Sequence, residues 1–481
     1  MLKYWRHLAA AFVACLVLVL LAQPAEAVGG QYGAFTYELK GNGTAVITKF
    51  DWSKHSGGDV YVPRSIDGYQ VTTIGKFAFT SQMDEVTLDY TGDDIHEKLC
   101  GSRVAIILPD TITVIEEKAF FWTSITTCDI PASVQIIGPG AFAGCRYIRQ
   151  FSVNSSNRTF AVIDGVLYNK ATKELVAFPL GTSDSGCVIP NGITSIGDYA
   201  FYALNSYSYD RSKSIQLSFP ESITKVGDYA FYAAELPNGY LPSGVLEIGE
   251  YAFAYAYFYT NTYLLRHRLY PVPSTAYPKV VGSYAFYYTD VVEYELNMSM
   301  AHLTSISEGA FRRCEVVPTD DFGLSSVTII PEYAFADGRT PRVLPDTLIT
   351  IGENAFRSCF VSLSIPSNVE TIESYAFFGA SGRVDFSNAS RLKYIGDEAF
   401  SFNSKDSDIF LPDSVETLGT KAFHHYSISL LYIPASVVAI GDNVVDRTKT
   451  VLQVEPGSYA DIWASENGYP MQVDDTSWLF E

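Results

Sequence analysis

Ile196-Gly197-Asp198-Tyr199-Ala200-Phe201 is one of thirteen copies of Ile-Gly-x-x-Ala-Phe, a pattern that varies somewhat at its first two positions. The copies end at Phe79, Phe120, Phe142, Phe201, Phe231, Phe253, Phe286, Phe311, Phe335, Phe356, Phe377, Phe400 and Phe423. A fourteenth, degraded copy runs Ile440-Gly441-Asp442-Asn443-Val444-Val445. The closest copies lie 21 to 23 residues apart, the length of one short supersecondary unit. Such a unit cannot bury its apolar face alone, so neighbours must stack into a solenoid. A chain of 481 residues would otherwise suggest several domains. A solenoid lengthens without enlarging any one core, and the repeat overrides that expectation.

The rest of the unit follows from the same register. Pro109, Pro131, Pro190, Pro220, Pro242, Pro345, Pro366 and Pro412 each precede a repeat phenylalanine by eleven residues, and Pro434 precedes Val445 equally. Short strand-like runs such as Ile106-Ile107-Leu108 and Leu363-Ser364-Ile365 lie just upstream. Alternation assigns the residue before proline (Leu108, Ile130, Leu344, Ile365, Ile433) to the interior and the one before that to the outside. Proline has no N–H and ends the ladder there. Ile112, Val134 and Val369 point inward again, then the motif isoleucine. The motif glycine is expected where the backbone turns tightly at positive φ, alanine where turns approach, and phenylalanine as a stacked spine.

These residues resemble the BspA-like family of leucine-rich repeats. Ile365-Pro366-Ser367-Asn368-Val369-Glu370-Thr371-Ile372 and Ile433-Pro434-Ala435-Ser436-Val437-Val438-Ala439-Ile440-Gly441 carry the likeness. It extends over roughly residues 60–446 and implies a β-rich repeat solenoid of short strands and turns. Between Phe253 and Phe335 the strand-ending proline is absent or shifted, and a distorted repeat is expected there.

The flanks read differently. Residues 1–27 have the form of a signal peptide: Lys3 and Arg6, an apolar run from Leu8 to Ala22, then Ala25-Glu26-Ala27. A retained anchor is the alternative, and a lipid on Cys15 a weaker one. Residues 28–60 should form an N-terminal β-hairpin cap, with Phe35–Leu39 and Thr44–Thr48 flanking Gly41-Asn42-Gly43. The solenoid then occupies 61–446, with an inserted hairpin at 143–187 and a Tyr-rich insertion at 254–277. Residues 447–481 should add a strand and a helix opened by Ser458 and Asp461 and closed by Asn467-Gly468.

Formal charge is −20, and −21 without the leader, whose Lys3, Arg6 and Glu26 sum to +1. That charge argues against nucleic acid and anionic lipid as partners. With 14% aromatic and only 18% charged residues, the chain is core-rich and ordered. Cys145, Cys314 and Cys359 each follow a repeat phenylalanine by three, and Cys128 and Cys187 each precede a repeat proline by three. Fixed register reads as small core fillers, with a disulfide as the alternative; Cys100 lies outside the register.

No catalytic constellation is present. His55, His96, His267 and His302 are isolated, and His424-His425 diverge. Nucleophile elbows and phosphate loops are lacking, and the Asp pairs lack calcium-loop spacing. No enzyme, cofactor or metal is expected. Residues 199–294 hold 18 of the 33 tyrosines. They read either as packing of the irregular turns, the favoured reading, or as a ligand surface. As a surface, the candidates are Tyr240, Tyr255, Tyr257 and Tyr259, with the outward strand positions Ile107, Val343, Phe410 and Tyr432. The resemblance implies an exported adhesion-type protein, secreted or at the cell surface, whose partner is an extracellular protein. A glycan ligand and a purely structural envelope role are the alternatives.

Overall fold

A computed structural model describes residues 29–80, 103–182, 186–204, 215–237, 243–259, 276–291, 298–314, 322–402, 408–424 and 428–473. The leader, Cys100, Tyr240, the Arg266–Arg268 run and the last eight residues lie outside these. The chain divides into two compact units, residues 1–165 and 166–481.

In the first unit, Gly29–Tyr32, Phe35–Leu39 and Thr44–Phe50 pair antiparallel. Thr44–Phe50 then pairs in parallel with Tyr69–Ile74, which continues through Val114–Ile115 to Ile136–Ile137. A second parallel sheet joins Val60–Tyr61, Val104–Ile107, Ile125–Ile130 and Ser152–Val153. The expected hairpin is therefore present, with an extra strand before it and Tyr69–Ile74 after it. Sequence reading missed both.

The second unit repeats the scheme. Two-residue parallel strands ending at the motif isoleucine, or the valine in its place, run Ser195–Ile196, Lys225–Val226, Glu247–Ile248, Val280–Val281 and Ser305–Ile306. A further set runs from Ile329–Ile330 to Ala439–Ile440. Strands ahead of the prolines pair likewise, as in Phe360–Ser364 with Ser381–Asp385 and Leu430–Ile433 with Val451–Val454. A helix, Tyr459–Glu466, starts at Ser458, whose side chain accepts the Asp461 N–H. The Asp461 carboxylate answers one residue earlier than a capping box requires, accepting from the Gly457 N–H at 2.8 Å. Met471–Val473 adds an unexpected last strand.

Between these two sheets, each turn carries the Ala-Phe motif on a third kind of backbone. The Tyr199, Phe201 and Ala203 N–H groups donate to the Asp228, Ala230 and Tyr232 carbonyls of the next turn, at 2.8–2.9 Å. The intervening Ala200, Tyr202 and Leu204 N–H groups close tight bends onto Gly197, Tyr199 and Phe201. Every donor is thereby used without a strand. The alternation needs left-handed residues two before and two after the phenylalanine, such as Tyr199 (φ 60°) and Ala203 (φ 58°).

That corrects the expectation for the motif glycine. Gly197, Gly227, Gly249, Gly282, Gly352, Gly396, Gly419 and Gly441 are absent from the positive-φ residues. Glycine is needed there because a Cβ would strike the backbone of the preceding turn. At Gly396 it would lie 2.5 Å from the Ser374 nitrogen, and at Gly352 2.7 Å from the Ile330 carbonyl. Close approach, rather than left-handed φ, selects the residue.

The spine itself is as read. In the second unit the rings of Phe201, Phe231, Phe253, Phe286, Phe311, Phe335, Phe356, Phe377, Phe400 and Phe423 stack at 4.8–5.5 Å. In the first unit Phe79, Phe120 and Phe142 do the same at 4.9 and 5.4 Å. Burying each ring contributes about 1.5–3 kcal/mol. The expected distortion between Phe253 and Phe335 does not reach the spine, where interplanar angles are only 1–5°. Inter-turn hydrogen bonds from the motif backbone hold the register whether or not a proline ends the strand.

The insertion at 143–187 also differs from expectation. Val166–Asn169 and Glu174–Ala177 form the foreseen hairpin. It is not an insertion, however: Leu175 pairs with Ile196, and the Phe178 ring packs on Phe201 at 5.0 Å. The hairpin is a disguised turn of the second unit, kept there by the apolar area that Leu175 and Phe178 bury. Cys128, Cys145, Cys314 and Cys359 are buried and Cys187 half-buried. The Cys145 and Cys359 thiols donate to the Phe120 and Phe335 carbonyls of the preceding turns, both at 3.0 Å. Thr289 does the same for Phe253 at 2.8 Å. The position three after phenylalanine is buried and mostly small, and a thiol or hydroxyl there can reach the preceding turn's carbonyl, which suits it to cysteine.

Candidate ligand-binding surface

The left-handed residue two before each phenylalanine directly precedes the buried motif alanine, such as Ala200, Ala230, Ala252 and Ala285. In the second unit this position is occupied by Tyr199, Tyr229, Tyr251 and Tyr284 in consecutive turns. The hydrogen-bonded ladder spaces the turns as strands in a sheet are spaced. The four rings therefore stack at 4.9, 5.0 and 5.1 Å, with interplanar angles of 2–17°.

A second column runs beside the first, from the positions just after the phenylalanine. Tyr202 and Tyr232 stack at 5.2 Å, and Tyr255 meets Tyr232 and Tyr287 edge to face. Tyr288 lies against Tyr255 at 5.7 Å. Tyr199 and Tyr202, Tyr229 and Tyr232, and Tyr284 and Tyr287 join the columns across each turn at 5.6–5.8 Å. Such pairs are worth about 0.5–1.5 kcal/mol each beyond their buried area. That helps offset the roughly 1–2 kcal/mol a non-glycine residue loses in the left-handed region. Tyr202 is buried, most of the others are half-buried, and Tyr255 and Tyr288 are 40% and 54% exposed.

Carboxylates edge the first column. Asp198, Asp228, Glu250 and Glu308 each directly precede the residue two before a phenylalanine. The Asp228 N–H donates to Asp198 Oδ1 at 2.9 Å, and the Glu250 N–H to Asp228 Oδ1 at 2.8 Å. The Tyr284 hydroxyl donates to Glu308 Oε1 at 2.5 Å. Burial pushes the Tyr229 phenol up to about 12, with the Glu250 charge adding to it, and raises Tyr251 for the same two reasons. Burial likewise raises Asp198 and Glu250 above the usual carboxylate range; the Asp228 charge adds to the rise at Glu250, while at Asp198 the hydrogen bond from the Asp228 N–H opposes it. The columns therefore present neutral phenols beside an electronegative edge.

Cations appear where the tyrosines run out. Arg312 lies 4.5 Å from the centre of the Tyr333 ring, and Arg313 5.9 Å from that of Tyr288. Both reach the Asp337 carboxylate, at 3.5 and 3.8 Å. One side of the turn backbone thus carries phenols, carboxylates and then guanidinium groups.

The residues singled out from sequence do not form one site. Tyr255 belongs to the second column, on turn backbone at φ 56°. Tyr257 and Tyr259 belong to the strand Tyr257–Tyr259, which pairs with Glu235–Pro237. The alternate spacing of the three tyrosines therefore does not place them together. Val343 and Phe410 are exposed as expected, at 51% and 59%. Ile107 is half-buried, and so is Tyr432, whose hydroxyl donates to Glu455 at 3.1 Å. Sequence reading missed the columns of Tyr199, Tyr229, Tyr251 and Tyr284. Their signal was a tyrosine two residues before the phenylalanine in four successive copies. Among the described residues no cluster of three or more His, Cys, Asp or Glu could hold a metal ion.

A family model described as "BspA type Leucine rich repeat region", in six copies, matches residues 72–169, 177–268, 279–342 and 328–451. The chain belongs to the BspA-type leucine-rich repeat family. Solved structures similar to it include a leucine-rich repeat protein from Bacteroides ovatus, 16% identical, with a TM-score of 0.40, covering 92% of this chain and 99% of that one. Another is a leucine-rich repeat protein from Eubacterium ventriosum, 17% identical, with a TM-score of 0.38 and coverage of 73% and 93%. A third is a leucine-rich cell surface protein from Faecalibacterium prausnitzii, 19% identical, with a TM-score of 0.35 and coverage of 86% and 94%. Among curated proteins none matches. Within this BspA-type chain, no helix among the described residues is long and apolar enough to cross a membrane.

Proposed function

We propose that this protein is an exported, non-enzymatic recognition molecule that binds an extracellular protein through the tyrosine columns of its second unit. The observation that carries this reading is the pair of columns from Tyr199 to Tyr288. Their half-buried rings are held by stacking and by backbone, so they are already ordered before a partner arrives. Tyrosine suits such a role, because it covers area with few rotors and keeps a polar tip. The signal-like leader supports export, and the lack of catalytic spacing supports binding over chemistry. A protein fits better than a glycan. Sugars pack on open aromatic faces, whereas the rings of the first column cover one another's faces.

The test is capture of extracellular proteins by the purified chain, followed by affinity measurement with Tyr255→Ser/Tyr288→Ser. These are the two most exposed rings of the columns, and circular dichroism checks that the variant folds. Loss of about 30-fold or more in affinity is expected, as for hot-spot aromatics. Unchanged affinity would move recognition to the outward strand positions Val343 and Phe410. Binding confined to a glycan array would replace the protein reading with the glycan one, and no saturable ligand at all would leave a structural role.

A further inference from the structure

The edge of the first tyrosine column is a line of carboxylates, Asp198, Asp228, Glu250 and Glu308. Among the described residues, Asp198, Asp228, Glu250 and Glu308 make no ion pair. Lys225 is the cation that acts on Asp198 electrostatically, from the neighbouring sheet. In the turns that follow, the same side of the backbone is completed from within the chain. Arg312 and Arg313 sit beside Tyr333 and Tyr288 and neutralise Asp337. Between Tyr199 and Tyr284 no arginine or lysine occupies the positions just after the phenylalanine; Tyr202, Ala203, Tyr232, Ala233, Ala254, Tyr255, Tyr287 and Tyr288 do.

We propose that the occupant of the tyrosine columns is an extended, lysine- or arginine-bearing segment of the partner protein. Its cationic side chains would lie along the Asp228–Glu250–Glu308 edge and its stem carbons against the phenol rings. This deepens the reading of the protein as a protein-binding surface and rests on it. Three pieces of chemistry converge. The carboxylates supply negative charge in a line, and the neutral phenol oxygens accept hydrogen bonds from ammonium or guanidinium groups. The long stems of lysine and arginine pack on apolar surface while their heads stay at the polar edge. Cations also find favourable contact with aromatic rings, as Arg313 does over Tyr288 within the chain. The four stacked rings span about 15 Å, the length of about five residues of extended chain. A short linear segment is enough to cover them.

The probe is a fluorescent decapeptide of alternating lysine and serine, with an alternating glutamate and serine peptide as its counterpart, titrated with the full chain. The charge variant is Asp228→Asn/Glu250→Gln/Glu308→Gln, whose amides keep the acceptor oxygens used by the Glu250 N–H and the Tyr284 hydroxyl. Its control is Asp346→Asn/Glu370→Gln/Asp413→Asn, three exposed acids near the strand-ending prolines, which removes the same formal charge. The lysine peptide should bind the wild-type chain and weaken as salt rises. The edge variant should lose 10-fold or more, and the control less than 2-fold. Equal losses would show a diffuse effect of net charge and overturn the proposal. Failure to bind the lysine peptide, or preference for the glutamate peptide, would do the same. A captured extracellular protein whose affinity ignores both the edge variant and salt would leave the recognition function standing and remove only the cationic segment.

Discussion

Gly396→Ala separates two accounts of the motif glycine that differ even in sign. Gly396 is buried and outside the left-handed region, and its N–H donates to the Ile372 carbonyl at 2.8 Å. If it merely served a flexible bend, alanine would restrict the unfolded chain and stabilise the protein by about 0.4–1 kcal/mol. The packing predicts the opposite. The new Cβ would lie 2.5 Å from the Ser374 nitrogen and 2.7 Å from the Glu373 carbonyl carbon, both backbone atoms that cannot rotate away. Two turns must therefore spread, stretching the hydrogen bond to Ile372. Glu116, Ser307, Pro331 and Glu373 occupy the same register position elsewhere, so a turn can be built around a Cβ and the cost is bounded. Overpacking of this kind costs about 1–3 kcal/mol, and we expect about 2 kcal/mol here. Gly41→Ala is the control, since nothing lies within 4 Å of its would-be Cβ and its φ is not positive. It should stay within about 0.5 kcal/mol of wild type. Denaturant titration by circular dichroism gives the comparison, and amide hydrogen exchange at Ile372, Ile395 and Gly396 locates the effect, since an array of repeats can unfold in parts. A Gly396→Ala protein at least as stable as wild type would refute the close-approach account.

Phe356→Ala removes a fully buried ring stacked between Phe335 and Phe377, and should cost about 3–5 kcal/mol in the same titration. Val343→Ser, at an outward position, should cost under about 1 kcal/mol; similar losses at the two sites would void the inward and outward assignments. The cysteine account predicts slow alkylation of native Cys128 and Cys359, whose thiols burial pushes up, Cys359 to about 12, and full alkylation once the chain is denatured without reductant. Mass spectrometry showing bridged cysteines under those conditions would overturn it. Alkaline stability follows from the phenols. The folded protein holds the Tyr229 proton to about 12, against 10.0 for an ordinary tyrosine, so the folded state binds more protons in that window. Stability contributed by Tyr229 is complete below pH 10 and should be lost as pH rises toward 12, with the Tyr229 phenolate, read as the absorbance difference between wild type and Tyr229→Phe, appearing late and together with unfolding. Early phenolate absorbance in that difference, with the protein still folded, would contradict the half-buried first column.

Much of this architecture was legible in the chain itself. The thirteen phenylalanines, the proline eleven residues ahead and the alternation before it were enough for the repeat, the spine and the inward set, because each repeats a local pattern at fixed spacing. The cysteines followed for the same reason. Val343 and Phe410 were correctly placed outward, whereas Ile107 and Tyr432 are half-buried, because burial at those positions depends on neighbouring turns. Phe178 escaped notice because it lacks the motif, yet it lies in the ring column through the apolar area it buries.

What tertiary structure alone decided is how turns meet. Whether glycine is chosen for its φ or for the absence of Cβ cannot be read along one chain, since the atom it would strike, the Ser374 nitrogen beside Gly396, belongs to the turn before. The same holds for the surface. Tyr199, Tyr229, Tyr251 and Tyr284 are 22 to 33 residues apart in sequence and 4.9–5.1 Å apart as rings, whereas Tyr255 and Tyr257, near neighbours in sequence, belong to a turn and to a strand. Sequence sets which residue types recur. The inter-turn hydrogen-bond ladder, a long-range set of backbone bonds, sets which of them stand side by side.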